Sequence, residues 1–143
     1  MAANTGNKRV ATKHIRDGIK SNYNKDCKCA ICSTDKELEF HHYTTVSLLL
    51  KRYARENSIP IDTDEAVLAM REQFYEDHWH ELVEYAVTLC APHHRTLHKV
   101  YGREPAITSA AKQERWVEKQ ANKLKGVKTS NIEKPKRRFS DLI

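Results

Sequence analysis

Long apolar runs are missing from this 143-residue chain. No stretch approaches the roughly 20 apolar residues that span a bilayer, so no membrane role is expected. The opening MAANTGNKRV has no apolar core and does not read as a secretory signal. Glycine is scarce, at four residues, and no Gly-rich phosphate-cradling loop occurs, which argues against a nucleotide-dependent enzyme. Hydrophobic content is low, at 39%, but enough for a modest core. Four cysteines and eight histidines without a signal peptide point to metal binding and not to disulfides, in a cytoplasmic protein.

Charge of one sign is missing from long stretches. Residues 1–109 carry 15 basic and 15 acidic groups, so the net +6 arises entirely beyond them. From Ala110 onward ten basic residues face four acids. Inside the neutral part, residues 59–86 carry eight acids against Arg71 alone, and residues 1–28 carry seven bases against Asp17 and Asp26. Basic ends around an acidic middle suit a polyanion such as nucleic acid. The phosphate contacts are expected from Lys112, Arg115, Lys119, Lys123, Lys136, Arg137 and Arg138. KPKRR (Lys134–Arg138) also has the composition of an import signal, and Phe139, Leu142 and Ile143 form an apolar tip after it. That tip and the acidic middle leave room for a protein partner.

Periodicity predicts an α+β chain, mostly helical. Residues 1–11 read as an irregular arm, followed by a helix capped by Thr12 and running to about Tyr23. ELEFHHY (Glu37–Tyr43) alternates as a strand, with Leu38 and Phe40 on one face. Helices are predicted from about Thr45, as its N-cap, to about Glu56 and from Asp64 to Glu84. In the second, Val67, Met70, Phe74 and Leu82 form an apolar stripe widened by Leu68, Tyr75 and Trp79. AVTLC (Ala86–Cys90) is β-prone, Pro92 opens a helix that ends at Gly102, and a last helix runs from Thr108 or Ser109 to Gly126. The division is a basic arm and short helix (1–26), a central domain (27–109) with an acidic helical insertion at about 45–84, and a C-terminal helix and basic tail (110–143).

Two clusters carry chemistry. Cys29-x2-Cys32 and Cys90-x2-His93 are bidentate knuckles, and two such pairs close a tetrahedral structural Zn2+ site. Cys27 is a spare thiol, too close to Cys29 for a knuckle. His41 and His42 are neighbours on a predicted strand and point to opposite faces. One can bind a metal while the other faces substrate. His94 and His98 share a helix face at i, i+4. His41, His94 and His98 would give a three-imidazole site with open positions, and His42 remains as a general base. His14, His78 and His80 have no spacing that links them to either cluster. Arg95, beside the helical ligands, is a candidate phosphate contact.

These residues resemble the HNH endonucleases, including phage and bacterial members. The resemblance rests on Cys29–Cys32, on LEFHHY with His41 and His42, and on TLCAPHHRTLH with Cys90, His93, His94 and His98, and covers about residues 27–102. It implies a ββα-metal (His-Me finger) hairpin and helix with a zinc knuckle and an inserted helical pair. It implies His41 and His94 as ligands of a divalent ion, Mg2+, Mn2+ or another transition metal. It also implies His42 as the base that activates water, and His98 as the additional helical histidine of HNH colicin nucleases. The implied activity is metal-dependent DNA hydrolysis leaving 5′-phosphate and 3′-hydroxyl ends, in the bacterial host cytoplasm if the gene is a phage's. Two positions depart from the family. His93 stands where most members have a fourth cysteine, and Tyr85 lies near the place of the central Asn. The alternative is a zinc module that has lost cleavage and serves as a DNA-binding or adaptor subunit of a larger DNA-processing machine.

Overall fold

The computed structural model describes residues 3–126. Lys136, Arg137, Arg138, the KPKRR run and the apolar tip Phe139, Leu142 and Ile143 lie outside the described residues. The chain is α+β and mostly helical. In order it forms α1 (Ala3–Asp17), β1 (Leu38–His42), α2 (Val46–Glu56), α3 (Asp64–Asp77), β2 (Ala86–Cys90), α4 (Ala91–Tyr101) and α5 (Ala110–Leu124). Short 3-10 turns occur at Lys20–Asn22 and Ile107–Ser109, and a π turn at His80–Glu84. No helix among the described residues is long and apolar enough to cross a membrane.

Two apolar cores hold the chain together. The first is helical. Ile15 and Ile19 from the α1 region, Leu49, Leu50 and Tyr53 from α2, and Val67, Met70 and Phe74 from α3 are buried together, with Leu82. Each fully buried Leu, Ile or Phe contributes roughly 1.5–3 kcal/mol. α1 packs against both α2 and α3, so the basic N-terminal segment closes the helical core. It begins at Ala3 and ends at Asp17, which corrects the expectation of an irregular arm to residue 11 and a helix to Tyr23.

The second core joins the sheet to the last two helices through Ile31, Tyr43, Leu89, Leu97 and Val117. β1 and β2 pair antiparallel, with Glu39 opposite Leu89 and His41 opposite Val87. α2, α3 and the π turn occupy the connection between the strands, and α4 follows β2 directly. The Cys29–Cys32 turn is stitched onto β2, because Thr88 accepts the Asp26 N–H at its Oγ1 (2.8 Å) and the Ala30 N–H at its carbonyl (2.9 Å).

Three local readings change. Helix α3 stops at Asp77 instead of Glu84. The rotation at that break carries Trp79 off the apolar stripe, leaving it 39% exposed; Leu68, at the edge of the stripe, is 43% exposed. Thr45 does not cap α2 through its side chain; its hydroxyl donates to the Pro105 carbonyl instead (2.5 Å). On β1 the most buried residue is not Leu38 or Phe40 but His41.

Candidate functional site

The knuckles come together. Cys29 Sγ, Cys32 Sγ, Cys90 Sγ and a ring nitrogen of His93 lie within 4.8 Å of one another. Cys32 and Cys90 Sγ are 3.8 Å apart, and His93 Nδ1 is 3.3 Å from Cys90 Sγ and 4.0 Å from Cys29 Sγ. Metal–sulfur bonds of about 2.3 Å in a tetrahedron give S···S edges of about 3.8 Å, so these donors fit zinc. The Cys29 thiol is buried, which pushes its pKa up. The backbone at Cys32, Cys90 and Ile31 outweighs that and holds the thiol below its ordinary range, including an Ile31 N–H at 3.4 Å. Ser33 takes a left-handed φ of 63° to close the turn and donates its N–H to the Cys29 carbonyl. Cys27 is exposed and stands apart from the cluster.

A second group, His41, His94 and His98, gathers where α4 crosses β1. His94 Nε2 lies 3.0 Å from His41 Nδ1 and 3.1 Å from His98 Nε2. The opposite nitrogen of each ring is tied to an acceptor. His41 Nε2 is 2.7 Å from Gln113 Oε1, His94 Nδ1 is 2.7 Å from Glu39 Oε1, and His98 Nδ1 is 2.8 Å from the Gly102 carbonyl. Acceptors on the outside require N–H there, so the three inner nitrogens carry lone pairs and lie within 4.8 Å of one another. Gly102 ends α4 at φ 95°, backbone that L side chains rarely adopt, and this places its carbonyl over His98.

His42 points to the other face of the strand. Its ring meets Tyr23 and Phe40 edge-on, at centroid distances of 5.0 and 5.2 Å. Its Nε2 donates to the Leu82 carbonyl at 2.8 Å. Leu82 sits in the π turn at the end of that helical segment, where carbonyls lack helical partners. Nδ1 is therefore the unprotonated nitrogen of His42. Burial lowers the His42 pKa to about 4 against an ordinary 6.5, with the Leu82 carbonyl opposing and Arg16 reinforcing the shift. Burial likewise takes His41 to about 3. His42 is thus neutral at pH 7, and below its ordinary pKa the unfolded chain binds the extra proton first. Stability is full above pH 6.5 and falls as pH drops toward about 4. The melting temperature of the zinc-loaded chain is expected to fall more steeply over that window than that of His42→Gln. Parallel profiles would refute the assignment.

One cleft of about 780 Å³ contains His41, His42, His94 and His98. Its walls are Lys13, Arg16 and Asp17 of α1, Tyr23, Phe40, the start of α2, and Arg103–Pro105. Lys13 is paired with Asp17 at 2.6 Å. The cleft's cations come from α1, within the basic segment 1–28 whose individual residues the sequence did not mark, and from the segment after α4, which carries no comparable charge signal. Arg95 is exposed and lies outside the cleft lining. Lys112, Arg115, Lys119 and Lys123 are exposed on α5, away from the buried face of Gln113, Val117 and Ala121. His78 pairs with Glu81 (3.4 Å), His80 with Glu84 (3.3 Å), and His14 approaches Asp64 (3.3 Å).

No solved structure matches this chain. A family description of phage T5 nicking endonucleases, the nicking endonuclease family, matches residues 1–135. Two metal-capable clusters, one of them sharing a cleft with a neutral histidine, therefore occur in a chain that belongs to the phage T5 nicking endonuclease family, a family of DNA-cleaving nucleases.

Proposed function

We propose that the chain is a metal-dependent HNH-type nicking endonuclease, with β1, β2 and α4 as a ββα-metal core and Cys29, Cys32, Cys90 and His93 as its zinc site. The observation that carries this reading is the histidine triad. Inner nitrogens 3.0 and 3.1 Å apart match the roughly 3.0 Å edge expected when metal–nitrogen bonds of about 2.1 Å meet at right angles. A tetrahedral arrangement with the same bonds has edges of about 3.4 Å. His41 and His98 each thus suit a position at right angles to His94 around one ion, with positions left open to water and phosphate. A divalent ion there, Mg2+, Mn2+ or another transition metal, would neutralise charge on the phosphate and on the departing 3′-oxygen.

The protein's own residues supply the rest. His42 Nδ1 takes the proton from water as its oxygen attacks phosphorus in line, and Leu82 fixes the ring through Nε2. The Leu82 carbonyl supports the base in a chain that has Tyr85 near the family's Asn position. Arg16 and Arg103, in the cleft walls, meet phosphates flanking the scissile one, and the cations of α5 extend the contact to DNA. The scissile strand lies in the cleft, and Arg95, exposed outside its lining, is kept as a candidate phosphate contact at its edge.

Nicking of supercoiled plasmid tests this reading. Zinc-loaded protein freed of exchangeable ions should be inactive, and added Mg2+ or Mn2+ should convert the plasmid to open circles. Plasmid left intact under every divalent ion while DNA is still bound would favour the adaptor reading.

A further inference from the structure

The helix α5 enters the site through one side chain. Gln113 is fully buried, at 0% exposure, the only buried side-chain amide among the described residues. Its Oε1 faces His41 Nε2 at 2.7 Å, and its Nε2 donates to the Tyr43 carbonyl at 3.2 Å and to Ser109 Oγ at 2.9 Å. The orientation of the amide is therefore determined. Its NH2 has two acceptors, one of them a backbone carbonyl, so its oxygen must face the imidazole, and the imidazole must present N–H at Nε2. The lone pair of His41 is then at Nδ1, the atom 3.0 Å from His94 Nε2.

We infer that Gln113 is a positioning residue for the nicking reaction: it selects the His41 tautomer that can bind the divalent ion and holds that ring toward His94 and His98. This rests on the metal reading of the triad proposed above. Two neighbours fix the start of α5, so the amide is held in place. Tyr85 Oη donates to Glu114 Oε1 (3.0 Å) and Tyr101 Oη to the Lys112 carbonyl (3.1 Å). A buried imidazole without this acceptor would be free to carry its proton on Nδ1, where it blocks coordination. Outer partners of metal-bound histidines typically change metal affinity by about 10- to 100-fold. The helix expected to do no more than hold DNA thus also completes the metal site.

The test uses the full chain with zinc in the knuckle. Nitrogen-15 chemical shifts of the ring, taken without a second ion, should report His41 as the Nε2–H tautomer. An Nδ1–H tautomer would overturn the inference, whatever binds there. Cobalt(II) is then titrated by calorimetry. Gln113→Met should weaken the second site by about 10- to 100-fold with zinc content unchanged. Gln113→Glu, which keeps the acceptor and, as the protonated acid, one donor for the Tyr43 carbonyl, should weaken the site clearly less than Gln113→Met. Nicking by Gln113→Met should recover as cobalt is raised, since the defect lies in affinity. A Met variant that binds cobalt as the parent does, or a Glu variant as weak as Met, would overturn the inference. Failure of the triad reading looks different: the parent would take up no second ion, or His94→Ala would bind it unchanged. In that case the tautomer still decides whether Gln113 sets the ring.

Discussion

Replacing His42 by alanine is expected to lower the rate of plasmid nicking by more than about a hundredfold. A positioned general base commonly contributes 10²–10⁴-fold, and the other bases lining the cleft are engaged: Glu104 Oε2 accepts the Ser47 hydroxyl at 2.6 Å. His41, the other histidine of the pair, is committed through Nε2 to Gln113 and through Nδ1 to the triad. Asp17 is engaged by Lys13 and Lys20, and its carboxyl is held below its usual range, mainly by the Lys13 hydrogen bond. The loss should appear in the rate and not in binding. His42 lies on the face of β1 away from the triad, so zinc content and affinity for the second ion should match the parent. DNA affinity, measured in Ca2+ to block cleavage, should also be unchanged. Exogenous imidazole should restore part of the rate, because removing the ring leaves a hole beside the stacked Tyr23 and Phe40 rings. Nicking within about threefold of the parent would remove His42 from the mechanism.

The donors of both clusters were legible in the sequence because spacing encodes them. A two-residue gap brings Cys29 to Cys32 and Cys90 to His93. Adjacency on a strand separates His41 from His42, and i, i+4 on a helix aligns His94 with His98. The partners behind those donors were not legible. Two of them are backbone carbonyls, at Leu82 and Gly102, which no side-chain pattern announces. Gln113 sits at i, i+4 from Val117 and reads as one polar residue on an apolar stripe. Its meaning depends on a fold that returns α5 to Tyr43. Helix boundaries failed for related reasons. The Asp64–Glu84 periodicity continues through a break that becomes a π turn. The residues before Thr12 are too polar to predict a helix, yet α1 forms where α2 and α3 offer it an apolar surface.

Substituting Cys90 by serine is expected to release the zinc and to unfold half of the molecule. Cys90 is buried and ends β2, with α4 beginning at the next residue. The ion would tie the Cys29–Cys32 turn to this junction, adding to the packing of Ile31 in the second core and to the hydrogen bonds at Thr88. Structural zinc contributes apparent binding free energies of about 10–16 kcal/mol in small zinc domains, more than a domain of this size has to spare. The two cores should respond differently. Ile15, Leu49, Phe74 and their neighbours make no use of the knuckle, so much of the helical far-UV signal should persist. Leu89, Leu97 and Val117 depend on the sheet that the knuckle anchors, and near-UV signals from Tyr43, Tyr85 and Trp116 should collapse with them. Nicking should be lost together with the second ion, since His41 and His94 sit on β1 and α4. Removing zinc with a strong chelator should reproduce the variant, and restoring it should reverse the loss only in the parent. Full zinc content in Cys90→Ser, or a single cooperative collapse of both cores, would contradict this division of the fold.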